Sequence, residues 1–141
     1  MLRAVQTAAV LVLLAGCSGV PRRGDAALDR YLPYAGPPVE QFHFYELDSW
    51  QAVAADRVVI WTDPFTAYLV RVRTPCTELA FTERLGVTST VNTVSRLESI
   101  VPSHQNRCPI EEILPIDVKA MKADQAARRA AEQAARPAGP R

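Results

Sequence analysis

The feature that most limits what this chain can become is its N-terminus, where a short apolar run ends in Leu14-Ala15-Gly16-Cys17. Met1-Leu2-Arg3 supplies one positive charge, and Ala4 to Leu14 is apolar apart from Gln6 and Thr7. A core of roughly ten residues is half of the about 20 that a membrane-spanning helix needs. It matches the apolar core of an export signal instead. Arg22-Arg23 follows the run rather than preceding it, so it is no twin-arginine signal. A competing reading is an uncleaved anchor helix that happens to contain a cysteine; the order of basic, apolar and small-residue segments favours cleavage.

The four residues from Leu14 to Cys17 match the bacterial lipobox at every position. Small side chains at Ala15 and Gly16 let an extended backbone enter a signal peptidase, and the Cys17 thiol is the nucleophile that accepts diacylglycerol. Residues 1–16 are therefore expected to be a lipoprotein signal peptide. Cys17 is expected to carry covalent lipid, with palmitate-type acyl chains and no other cofactor. One chain anchors only marginally at about 0.8 kcal/mol per buried CH₂, whereas two or three hold a protein on a bilayer. Ser18 stands where an aspartate would favour the inner membrane, so the expected location is the outer membrane, facing the periplasm.

Cleavage leaves 125 of the 141 residues, enough for one domain. Losing Arg3 takes the net charge from +1 to zero, which argues against an electrostatic nucleic-acid binder. Beyond Cys17 only Cys76 and Cys108 remain, and an even pair in an exported chain reads as a disulfide, with two buried free thiols as the alternative. Closing a loop of about 33 residues is worth roughly 3.7 kcal/mol by loop entropy.

Along the mature chain, residues 17–41 are rich in Gly, Pro, Arg and Asp and read as a lipidated tether, with one helical turn at Ala26 to Tyr31. Pro33, Pro37 and Pro38 exclude a longer helix. Residues 42–116 read as a β-rich domain. Phe42-His43-Phe44-Tyr45 is aromatic, and Arg57 to Thr62 has the near-continuous apolar character of a strand covered on both faces. After the Asp63-Pro64 turn signal, Tyr68, Val70 and Val72 alternate with Leu69, Arg71 and Arg73, a period of two that puts one face inward. Further strands are expected at Leu85–Ser89, after a turn at Val91-Asn92, at Ile100-Val101 and at Ile113–Ile116. Residues 117–135 form an Ala-rich helix that starts at Asp117 or Asp124 and packs only by its first turn or two; residues 136–141 are a disordered tail. The expected fold is mainly β: a small antiparallel sheet or partly closed barrel with a C-terminal helix.

The stretch from Tyr34 to about Lys122 resembles a family of proteobacterial lipoproteins classed as a domain of unknown function. The resemblance rests on Ala35-Gly36-Pro37-Pro38-Val39, Trp61-Thr62, Pro75-Cys76, Cys108-Pro109-Ile110 and Ile113 to Lys119. It implies an exported domain with a Cys76–Cys108 bridge and brings no activity.

Candidate chemistry is sparse. His43, His104, Cys76 and Cys108 lack the close CxxC-type spacing of zinc sites, so no metal is expected. No GxSxG elbow is present, and Thr88-Ser89-Thr90 sits in strand-like sequence. Glu111 and Glu112 are adjacent, so in a regular strand they would face opposite ways as a polar edge. Trp50, Trp61, Tyr45 and Tyr68 read as core rather than as a ligand surface. Ala120, Ala123, Ala127, Ala130 and Ala134 share a helical stripe, read as a solvated face. The expected function is a non-enzymatic, membrane-anchored binding or structural module with an envelope protein as partner. The alternative is a small-molecule or metal-binding lipoprotein, or an unrecognised hydrolase.

Overall fold

A computed structural model of the chain describes residues 23–103 and 106–136. The expected signal peptide, Cys17, His104 and residues 137–141 lie outside them. The elements run α1 (Arg23–Leu28), a 3₁₀ turn (Leu32–Tyr34), β1 (Gln41–His43), β2 (Ser49–Ala54), β3 (Arg57–Asp63), β4 (Thr66–Val72), β5 (Gly86–Val87), β6 (Thr93–Ser95), β7 (Ser99–Ser103), β8 (Asn106–Ile116) and α2 (Val118–Ala135). Six antiparallel strands, in the order β2-β3-β4-β8-β7-β5, curl into a half-barrel, and β1 and β6 form a separate two-stranded sheet. The fold is mainly β with a C-terminal helix, as the patterning predicts.

The curled sheet is buried on both faces along its central strands. Val58, Val59 and Ile60 on β3 are fully inaccessible, as a continuous apolar run requires. Val58, Ile60, Val70, Val72 and Ile113 join Phe42 and Val94 of the small sheet in one core. Val59, Ala67, Leu69 and Ile116 face the other way, against Leu28, Tyr31, Val118 and Met121. The alternation on β4 therefore does not separate core from solvent: Leu69 is as buried as Val70 because the helical layer covers the second face.

That layer includes residues expected to be tether. From Leu28 onward the N-terminal segment is built into the domain. Leu28 and Tyr31 are buried, and the Tyr31 hydroxyl donates to Gln51 Oε1 at 2.9 Å. Gly36 N–H donates to the Pro115 carbonyl at 2.8 Å, and Val39 N–H to that of Ile113 at 2.9 Å. At Gly36 a Cβ would stand 3.2 Å from Pro115 Cγ, so the close approach of the two backbones uses the missing side chain. Proline-rich sequence resembles a tether because it cannot form a helix, yet an extended strap docks on a sheet equally well.

Strand β2 has no counterpart in the sequence reading; its Ser-Trp-Gln-Ala-Val-Ala composition is poor in β-branched residues and is held by packing. β5 is shorter than expected. The turn at Val91-Asn92 is present: both residues have positive φ, 49° and 55°, and Thr90 and Thr93 exchange two backbone hydrogen bonds at 3.0 Å. This is the two-residue hairpin geometry that normally selects Asn or Gly. At the C-terminus, Asp117 Oδ1 caps α2 by accepting from Ala120 N–H at 2.9 Å. Val118 and Met121 are the buried residues of α2, and every residue from Ala126 to Arg136 is exposed.

Candidate functional site

A polar concavity begins at an irregularity between β4 and β8. Arg71 pairs with Glu112 across the ladder, but the next residue, Val72, pairs with Ile110, so Glu111 is an extra residue in a β-bulge. The bulge turns both adjacent glutamates toward one guanidinium. Arg71 Nη1 lies 3.0 Å from Glu111 Oε2, and Arg71 Nε lies 3.3 Å from Glu112 Oε2. The expectation that Glu111 and Glu112 face opposite ways fails here, because strict alternation holds only for an unbulged strand.

Arg73 extends the cluster. Its backbone N–H donates to the Pro109 carbonyl at 2.9 Å, and its Nε lies 3.7 Å from Glu111 Oε1. Its side chain is 67% exposed, the least covered in the cluster. On the far side, beside the two-stranded sheet, Arg96 Nη2 reaches the two Glu40 oxygens at 2.8 and 2.6 Å. An open groove of about 880 Å³ runs between these pairs, with Gln41, Ser95, Ile110 and the exposed Leu97 completing its walls. Three guanidinium groups and the Glu40 and Glu111 carboxylates thus line one concavity, all reachable by solvent.

The residues singled out from sequence are scattered. Cys76 and Cys108 are joined as a disulfide with Cα atoms 5.8 Å apart, within the usual range. Both are buried, and the bridge ties the segment after β4, including the buried Leu79, to β8. His43 stands at the end of β1, where Nδ1 is 2.8 Å from Thr93 Oγ1. No group of three His, Cys, Asp or Glu side chains able to hold a metal occurs among the described residues. The hydroxyls of Thr88 and Thr90 donate to the Glu98 carboxylate and hold its pKa below the usual range.

The four aromatic candidates do not form one surface. Tyr68 stacks on Phe42 with ring centroids 4.4 Å apart, and burial raises its phenol pKa. Trp50 packs against the same core, while Trp61 packs against the opposite one. Tyr45 is fully exposed, so it is not a core residue; it sits on the connection after β1. Sequence reasoning missed Arg71, Arg73, Arg96 and Glu40 as a group. The adjacent Glu111-Glu112 and the alternating Arg71 and Arg73 are visible signals, but their convergence depends on a bulge.

No curated protein and no solved structure matches the chain. A family model described as a family of unknown function, DUF6491, matches residues 1–132, well beyond the stretch over which the resemblance is traced. With nearly its whole length covered by that match, the chain belongs to the DUF6491 family.

Proposed function

We propose that the chain is a lipid-anchored protein of the bacterial cell envelope, held at Cys17. Its β-rich domain is a binding module rather than an enzyme, and the arginine-lined groove is its ligand site. The observation that carries the reading is the composition of that groove. Arg71, Arg73 and Arg96 line an open space of about 880 Å³. Arg71 and Arg96 are held by Glu111, Glu112 and Glu40, which leaves Arg73 as the least engaged guanidinium fork, able to meet a carboxylate. The ligand is an envelope component that carries acidic groups.

Anchoring is supported by the apolar leader and the complete Leu14–Cys17 box, and the family match takes in both. A disulfide suits the oxidising side of the inner membrane. A binding role is supported by how the reactive side chains are engaged. Thr88 and Thr90 serve Glu98, His43 is partnered by Thr93, and Glu111 and Glu112 share Arg71.

Photo-crosslinking in intact cells tests the ligand site. A crosslinking amino acid at Leu97 should capture one envelope component reproducibly. Arg73→Glu should cut the yield several-fold, because it reverses the most accessible of the three arginine charges. A yield indifferent to Arg73→Glu would remove the groove as the site.

A further inference from the structure

Formal charge is divided unevenly along the chain. Residues 31–117 carry eleven Asp or Glu side chains against six Lys or Arg. Residues 118–136 reverse the balance, with Lys119, Lys122, Arg128, Arg129 and Arg136 against Asp124 and Glu132. The molecule pairs an acidic β body with a basic helix, and asymmetry of this kind bears on partners rather than on fold.

The cations of α2 other than Lys122 are not spent on the domain. Among the described residues every salt bridge lies between residues 40 and 112, and none uses α2. Lys122 is partly engaged, donating to the Pro64 carbonyl at 2.7 Å and lying 4.7 Å from the Phe65 ring centroid. Lys119, Arg128, Arg129 and Arg136 are exposed. Beyond Gln125 no residue of α2 packs on the sheet, and a free helical segment of this length is marginal in water on its own. Core formation therefore does not account for the extension.

Its position does point somewhere. α2 shares a core with the N-terminal segment through Leu28, Tyr31, Val118 and Met121, and the Tyr34 hydroxyl donates to Asp124 Oδ2 at 2.8 Å. α1, the first described element, therefore lies on the face of the sheet that carries α2. Five residues separate Arg23 from Cys17, a span of at most about 20 Å when extended. Given the anchoring proposed above, on which this step rests, the basic helix lies within reach of the bilayer surface.

We infer that α2 lies against anionic phospholipid headgroups and orients the domain on the membrane. Uncompensated Lys and Arg side chains are attracted to such a surface, and the acidic β body is repelled by it. Both forces turn the molecule the same way, with the helix down and the β body outward. The lipid fixes the protein to the bilayer, and the helix sets its attitude.

Hydrogen–deuterium exchange on the mature protein, purified from membranes and returned to vesicles, tests this. Exchange of residues 126–136 should be about tenfold slower on phosphatidylcholine–phosphatidylglycerol vesicles than on phosphatidylcholine alone, and high salt should remove the difference. Arg128→Ala with Arg129→Ala should restore fast exchange while flotation with the vesicles is unchanged. Equal exchange on both vesicle types, or slowing that ignores salt and the double variant, would overturn the inference. Release from neutral vesicles on flotation would instead contradict the anchor, and the exchange comparison on anionic vesicles would still report on the helix.

Discussion

The carboxylate of Glu111 lies 3.0 Å from Arg71 on the neighbouring strand, although the next residue in sequence, Glu112, reaches the same guanidinium. Two consecutive strand residues share one partner because Glu111 is the extra residue of a bulge. The three side chains are about one-third exposed, so each pair is worth no more than about 1 kcal/mol. Arg71→Ala should lower stability by about that amount in urea unfolding. The loss should shrink when Glu111 and Glu112 are already glutamine, as a double-mutant cycle measures. Strictly additive effects would mean that the cluster does not couple.

Reducing the Cys76–Cys108 bridge should destabilise the domain by roughly 3.7 kcal/mol by loop entropy. The melting temperature should fall markedly with reductant, and alkylation should label neither cysteine until reduction. Ready labelling of both in unreduced protein would refute the bridge.

Glu98 links stability to pH. Hydrogen bonds from Thr88 and Thr90 hold its folded pKa below 4.5, the ordinary value. A lowered folded pKa means that the contribution is fully present above the unfolded pKa and is lost as pH falls through the folded one. The melting temperature should therefore drop on acidification below about pH 4.5, and less steeply in Thr88→Val with Thr90→Val. Identical acid limbs in the two proteins would remove Glu98 from the linkage.

Val91 holds φ of 49° and is 90% exposed, so a β-branched residue occupies a left-handed position with no burial in return. Val91→Asn should raise stability by about 1 kcal/mol, since Asn tolerates this region. A loss would mean that contacts of the valine outweigh its backbone strain.

The parts of the fold legible in sequence are those set by local pattern. The apolar run of β3, the Asp63-Pro64 turn, the Val91-Asn92 hairpin and the Asp117 cap each depend on residues within one turn or strand. What was not legible depends on pairing across the chain. Leu69 is buried because α1 and α2 cover its face, and the docking of Tyr31 and Gly36 depends on where β2 and Pro115 lie. The groove was least legible, because a one-residue slip between β4 and β8 brings Arg71 and Glu111 together and the position that follows β6 contributes Arg96.

The central proposal, anchoring through Cys17, is tested most directly by the mass of the N-terminal peptide of the protein recovered from membranes. The expected result is a chain that begins at Cys17 and carries diacylglycerol, with Cys17→Ser accumulating as unprocessed precursor. A mature N-terminus without lipid, or normal processing and membrane retention of Cys17→Ser, would contradict it.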